Sequence, residues 1–243
     1  MQAPPRFSII VPARNEEALL GQGLAAIQDA IRRSGSSAEV IVVANRCTDG
    51  TEAVATAGGA VVVRDQSRNL AAIRNAGVAA ATGEVVVTLD ADNLIHELAL
   101  VEMNRLLDTN RYVGGGCGFL PERNSVGLRA TATLLRVVLA VGRIGGVMYW
   151  CRRTDFDAIG GFNESRSCAE DLDFAHRLRL HGRRTGRRFI NLQDVPVTVS
   201  CRKFDTFGDW HMLTLATQAR SVFASIKGTD TEFVDRYWYD YET

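Results

Sequence analysis

Short apolar runs rich in β-branched residues alternate with longer segments whose apolar residues recur every three or four positions, and this alternation organises the first half of the chain. The runs at 7–11, 40–43, 60–63 and 84–89 are dense in Val and Ile and poor in charge, as strands are when helices cover both faces of a sheet. Between them, 16–33, 49–57 and 69–81 carry Ala, Leu and Ile at helical spacing, which predicts helices. Gly58 and Gly83 stand where helix stops belong. Strands and helices alternating in this way predict βαβ units and a mostly parallel sheet, an α/β fold.

A further helix at 95–108 leads to a strand at 112–118, after which the alternation lapses. The second half predicts a helix over 126–141, a strand at 147–151, a turn at Gly160 and Gly161, a helix over 170–181, a strand at 195–200 and a helical stretch after Phe204. No repeat or low-complexity linker divides the chain. The glycines at 114–116 therefore mark a lobe division within a single domain over 1–243, one half covering about 1–115 and the other about 116–243.

A chain of 243 residues with 46% hydrophobic content buries a full core. Lys plus Arg, 28, equals Asp plus Glu, 28, so no global field draws the protein to nucleic acid or to an anionic membrane. Any anion site must be local. The cysteines, Cys47, Cys117, Cys151, Cys168 and Cys201, are widely spaced without a CxxC pair, which argues for reduced thiols in a cytoplasmic protein rather than a zinc site or disulfide framework. The first residues lack the regions of a signal peptide. The longest apolar stretch, 134–150, is broken by Arg136, Gly142, Arg143, Gly145 and Gly146, whereas a spanning helix needs about 20 mainly apolar residues. The aromatic run 236–241 suits packing on the protein's own core, on a second subunit of a homodimer, or on a membrane surface as a peripheral contact. Asp235, Asp240 and Glu242 weigh against anionic lipid.

In an open parallel sheet, ligands bind beyond the carboxyl ends of the strands. The residues found there are Pro12-Ala13-Arg14-Asn15-Glu16-Glu17, then Ala44-Asn45-Arg46-Cys47-Thr48-Asp49, then Asp90-Ala91-Asp92-Asn93. Asp90 and Asp92 follow a strongly apolar strand and so present two carboxylates one residue apart at the sheet edge. Such hard oxygen ligands suit Mg²⁺ or Mn²⁺, with the remaining coordination left to water and substrate phosphates. The competing reading is a solvated turn in which Asp92 caps the next helix. Glu16 and Glu17 likewise read as acids in a first helical turn, which leaves Arg14 unexplained.

With Arg14 in place, the opening segment resembles that of the family 2 glycosyltransferases, which have the GT-A fold. The similarity continues over Val42 to Thr51, over Ala72-Ile73-Arg74-Asn75-Ala76-Gly77 and over Asp90-Ala91-Asp92. In the second half, Gly160-Gly161-Phe162-Asn163-Glu164, then Glu170-Asp171-Leu172-Asp173-Phe174, then Arg177 through Gly182 resemble the family's acceptor-side signature. The resemblance spans about residues 7–210. It implies one mixed, mostly parallel sheet with a Rossmann-like nucleotide-binding half and an acceptor-binding half.

The implied activity is transfer of a hexose from a nucleoside-diphosphate sugar to a hydroxyl of a sugar, a lipid-linked molecule or another small molecule. Pro12, Arg14, Glu16 and Asn45 would hold the nucleoside, Arg74 the diphosphate, and Asp90 with Asp92 the nucleotide and a Mn²⁺ or Mg²⁺ ion. Asp171 matches the general base of inverting members. Gly161 and Glu170 fall on the acceptor side. Arg202 and Lys203 resemble a basic element that closes over the diphosphate, and His211 matches a third metal ligand of some relatives. One departure stands out: many members have two acids where this chain has Ala44 and Asn45. An amide can accept the uracil imide proton but can also donate, so UDP-sugar is favoured and GDP-sugar also admitted.

Other classes fit less well. A nucleotidyltransferase shares sheet and metal carboxylates but begins with a Gly-rich phosphate loop, and a dinucleotide-binding oxidoreductase needs GxGxxG after its first strand. Here Pro12-Ala13-Arg14-Asn15 occupies that place. A non-catalytic binder of sugar nucleotides would not need Asp171.

Overall fold

The computed structural model describes residues 3–123, 125–130, 133, 146–166 and 168–209. Strands β1 (Phe7–Ala13), β2 (Ala38–Asn45), β3 (Val61–Asp65) and β4 (Val85–Thr88) alternate with helices α1 (Leu20–Ser34), α2 (Thr51–Ala57), α3 (Leu70–Ala80) and α4 (Ala99–Asp108). Then follow β5 (Tyr112–Pro121), β6 (Tyr149–Arg152), α5 (Arg153–Ala158), α6 (Glu170–Arg184), β7 (Arg188–Val199) and α7 (Arg202–Phe207). The expected helix over 126–141 is described as helical at 126–130 and 133. Its remainder, His211 and the aromatic run 236–241 lie outside the described residues, as does most of the apolar stretch 134–150. Among the described residues, no helix is long and apolar enough to cross a membrane.

All seven strands form one mixed sheet in the order β3-β2-β1-β4-β6-β5-β7. β6 pairs antiparallel with both β4 and β5, while the β1–β2, β1–β4, β2–β3 and β5–β7 pairs are parallel. Six strands therefore share a direction and the loops after them meet at one edge. Chain order reverses between β1 and β4, which is where an open sheet forms its ligand crevice.

Successive side chains of a strand point to opposite faces, and the apolar runs feed two cores. Phe7, Ile9, Val11, Val85 and Val87 pack with Leu24 and Ile27 of α1 and with Leu100, Met103 and Leu107 of α4. Ile10, Ile41, Val43 and Val86 pack on the other face with Ile73 and Val78 of α3 and with Phe174 and Leu178 of α6. Gly77 lets α3 lie close, because an added methyl would run into Ile10 and Val43, both stiff at χ1. Gly77→Ala gains roughly 1 kcal/mol of helix propensity against an overpacking cost of about 1–3 kcal/mol. A lower melting temperature is expected; one at or above the parent's would show that α3 and the sheet separate cheaply.

Several element ends differ from expectation, each with a cause. α1 begins at Leu20 rather than at 16, because Glu16 and Glu17 are engaged elsewhere. α4 begins at Ala99, too far along for Asp92 to cap it. β1 runs through Pro12 rather than ending before it. Its β4 partners stop at Ile10, so the missing proline N–H falls where no β4 residue pairs. Gly58 caps α2, but Gly83 is no helix stop, since α3 ends at Ala80. The Gly83 N–H donates to Ser8 Oγ at 2.8 Å and Glu39 Oε1 at 3.0 Å, and an added Cβ would meet the Phe7 and Ser8 backbone at 2.9 Å.

Candidate active site

The loops after β1 and β2 are tied together by the side chains that stood out in the sequence. Asn15, at φ 53°, accepts from the Thr48 N–H at 2.8 Å. Glu16 N–H donates to Thr51 Oγ1 at 2.8 Å, Glu17 N–H to Asp49 Oδ2 at 3.1 Å, and Gly50 N–H to Glu17 Oε2 at 2.9 Å. Glu17, Asp49 and Thr51 therefore hold loops in place. Arg14 lies half-buried at the same edge.

At the crevice, Arg74 of α3 is 6% exposed and forks between two carboxylates: Nη2 lies 2.8 Å from Asp90 Oδ1 and Nη1 lies 2.5 Å from Glu170 Oε1. Its guanidinium also sits over the Phe162 ring, 5.4 Å from the centroid. Burial alone would lower its pKa, but Asp90, Glu170 and Asp171 outweigh that and raise it further. The arginine is thus permanently charged and joins the end of β4 to the start of α6.

Asp171 stands beside this cluster. Burial, then the neighbouring Glu170 charge, push its pKa up to about 6, against the opposing pull of Arg74 and a 2.8 Å hydrogen bond from the Leu172 N–H. Ala169, just ahead of α6, is held at φ 57°, a left-handed conformation that costs a non-glycine residue roughly 1–3 kcal/mol and clusters at functional sites. That turn brings the Glu170–Asp171 pair to Arg74.

The third group is Glu16, 8% exposed, which accepts a forked ion pair from Arg202 at 2.7 and 3.2 Å. Arg202 Nη2 also lies 4.0 Å from Asp92 Oδ2. Glu16 thus serves as the seat of the arginine that opens α7, not as an acid in the first turn of α1. The Lys203 side chain is outside the described residues. Arg123 holds the far end of the same segment, donating to Asp205 at 2.8 Å and Asp209 at 2.6 Å.

The side chains of Asp90 and Asp92 remain 41% and 28% exposed. Among the described residues, no three His, Cys, Asp or Glu side chains are grouped to hold a metal ion. Asn45, expected to face the nucleoside, is instead 2% exposed. Its amide nitrogen donates to Asp65 Oδ1 at 2.8 Å and Ser67 O at 2.9 Å, and its oxygen accepts from Arg46 Nε at 3.1 Å. It clamps the loop after β3, and both ends of the amide are engaged within the chain.

Gly161 is likewise a packing residue. It sits at φ 66°, and a Cβ would meet Asn75 Oδ1 at 2.8 Å. Asn75 donates to Phe162 O at 2.9 Å and Glu164 Oε1 at 2.8 Å and accepts from the Phe162 N–H at 2.9 Å. Phe162 in turn stacks on Phe174, with centroids 4.3 Å apart. Asn75 follows Arg74 directly in the 72–77 segment. Its polar side chain one residue after the arginine, on an otherwise apolar helix, was the available signal.

Carboxylates and a buried arginine thus stand together at the switch point of an open, mostly parallel α/β sheet. The chain belongs to glycosyl transferase family 2, which it matches over residues 8–189. It is 34% identical over 107 residues to a TPR repeat-containing protein of Synechococcus elongatus, an overlap of 44% of this chain and 25% of that one. The fold is similar to that of the mannosyltransferase PcManGT from Pyrobaculum calidifontis in complex with GDP-Man and Mn²⁺, at TM-score 0.64 and 25% identity over 81% of this chain and 57% of that one. It also resembles S. aureus TarS 1-349 in complex with UDP-GlcNAc, at TM-score 0.63 and 20% identity over 80% and 58%. The glucosyl-3-phosphoglycerate synthase from Mycobacterium tuberculosis with Mn²⁺, UDP and glucosyl-3-phosphoglycerate matches at TM-score 0.62 and 21% identity over 93% and 80%. The last two likenesses carry the fold alone. The chain spans a quarter of the curated relative, at 25%, and under three-fifths of the first two structures, at 57% and 58%.

Proposed function

We propose that this chain moves a hexose from a nucleoside-diphosphate sugar, UDP-sugar being favoured and GDP-sugar admitted, to a hydroxyl acceptor with inversion. The observation that carries the reading is Arg74, buried and joining Asp90 at the nucleotide crevice to Glu170 beside Asp171. A guanidinium fork suits phosphate oxygens. Bound there, the diphosphate would lie with its sugar toward Asp171.

Asp171 then acts as base. Its carboxylate takes the proton of the acceptor hydroxyl, the acceptor oxygen bonds to the anomeric carbon, and the bond to the diphosphate breaks with its electron pair leaving on phosphate oxygen. A positioned carboxylate contributes about 10²- to 10⁴-fold in such a step. Pro12, Arg14 and the loop they open would bound the nucleoside. Arg202 sits near enough to Asp92 to reach the diphosphate if it leaves Glu16.

Asp90 and Asp92 fit a divalent cation: both are hard oxygen donors, both keep exposed surface at the crevice, and one or two carboxylates are what Mg²⁺ sites of this kind use. Mn²⁺ or Mg²⁺ bound there supplies charge stabilisation to a departing diphosphate. His211 would serve as a further ligand. The five cysteines are free thiols, which supports a cytoplasmic setting.

The test is a panel of nucleotide-sugars with and without Mn²⁺, read by released nucleoside diphosphate. Release with at least one donor is expected, and none from any donor under either condition would overturn the reading. Asp92→Ala should weaken metal-dependent nucleotide binding about tenfold or more, in the range seen when metal-site ligation is disturbed. Full metal-dependent affinity in that variant would remove Asp92 from the ligand set.

A further inference from the structure

Asn45 cannot read the base with the amide it has committed to the β3–α3 loop, which leaves a question about what does. Asp65 ends β3 directly across from Asn45, as its register partner, and is half-buried at the same sheet edge. Asp65 Oδ1 accepts three hydrogen bonds, from Asn45 Nδ2 at 2.8 Å, Ser67 N at 2.9 Å and Ser67 Oγ at 2.5 Å. No described residue donates to Oδ2. The turn that Asp65 forms with Ser67 uses a side-chain oxygen and nothing more, so an asparagine would satisfy it equally. The negative charge and the second oxygen are left over.

We propose that Asp65 is the residue that reads the nucleobase, that Asn45 positions it, and that the base is an imide-bearing pyrimidine, uracil. This rests on the nucleotide-sugar reading above. If Asp171 takes the sugar side of Asp90, the nucleoside extends the other way along the edge, across β1 toward β2 and β3, where Asp65 waits. A carboxylate has about four lone-pair sites over its two oxygens. Oδ1 is saturated, so Asp65 offers one acceptor oxygen. Uracil presents a single donor, N3–H, on its pairing edge and matches it. Guanine presents N1–H and an amino group side by side and is best met by two oxygens, while cytosine offers its N4 amino group but sets beside it an unprotonated N3 that the carboxylate repels.

The test is calorimetric titration of the full chain with UDP, CDP and GDP in the presence of Mn²⁺. The parent should bind UDP tightest. Asp65→Asn keeps Oδ1 for Asn45 and Ser67 and replaces Oδ2 with an N–H donor, so UDP affinity should fall about 10- to 100-fold, as when a charge-assisted hydrogen bond is lost, and CDP affinity should rise. On the unaltered protein, UDP methylated at N3 should bind weaker than UDP by a similar factor, a comparison that does not depend on the variant folding. Unchanged UDP affinity in Asp65→Asn, equal binding of the N3-methylated nucleotide, or a parent preference for GDP would each overturn the assignment while leaving the glycosyltransferase reading intact. Failure of every nucleoside diphosphate to bind the parent would overturn that reading, and this assignment with it.

Discussion

An Asp171→Asn variant should bind nucleoside diphosphate as the parent does and transfer sugar about 10²- to 10⁴-fold more slowly, the range lost when a positioned base is removed. The pKa gives this prediction a pH signature. With the folded-state value near 6, the carboxylate form accumulates above pH 6, so the parent's rate should climb as pH rises through 6 and the variant should lack that limb. Stability moves the other way. A carboxyl whose pKa is raised on folding binds its proton more tightly in the folded state, so its contribution is most favourable at low pH and is lost as pH rises through about 6. Asp171→Asn should therefore raise the melting temperature more at pH 8 than at pH 5. Fast transfer by the variant, or a stability gain that ignores pH, would remove Asp171 from the role of base.

The sheet was legible because strands covered on both faces leave nearly unbroken Val and Ile runs, and β1 to β4 fall within a few residues of expectation. α5 was not, because its six residues are too few for periodicity and include the buried Asp155, which pairs with Arg187 at 2.6 Å and His181 at 2.9 Å. The first half of β7 was missed because Asn191, Gln193 and Asp194 break the apolar run on what is the sheet's edge strand. In the site, the convergence of Arg74, Asp90 and Asp171 was accessible only through the sheet-edge rule and the family resemblance, since nothing local joins residues so far apart. The Glu16–Arg202 pair spans 186 positions and leaves no local trace. The structural part of Asn45 was hidden for a related reason: its partners lie 20 and 22 residues onward and leave no local signal.

Replacing Arg74 should cost more stability than any surface substitution, and the cost should depend on pH. Arg74→Ala strips the cation from between Asp90 and Glu170, whose side chain is only 10% exposed. Removing one partner of a buried pair costs about 3–5 kcal/mol, mostly for the charge left behind. Asp171 loses the guanidinium that opposes burial and the neighbouring Glu170 charge, so it should hold its proton more readily than in the parent. Protonation relieves the charge, and the stability deficit should shrink as pH is lowered from 8 toward 5. Arg74→Lys keeps a positive charge but not the planar fork that reaches both acids. It should recover part of the lost stability and little of the transfer activity, which separates the structural contribution of the charge from its geometry toward the diphosphate. Denaturant unfolding of both variants at the two pH values measures this. A deficit under about 1 kcal/mol for Arg74→Ala, the scale of an exposed ion pair, would mean that Arg74 is not what holds the nucleotide crevice to α6.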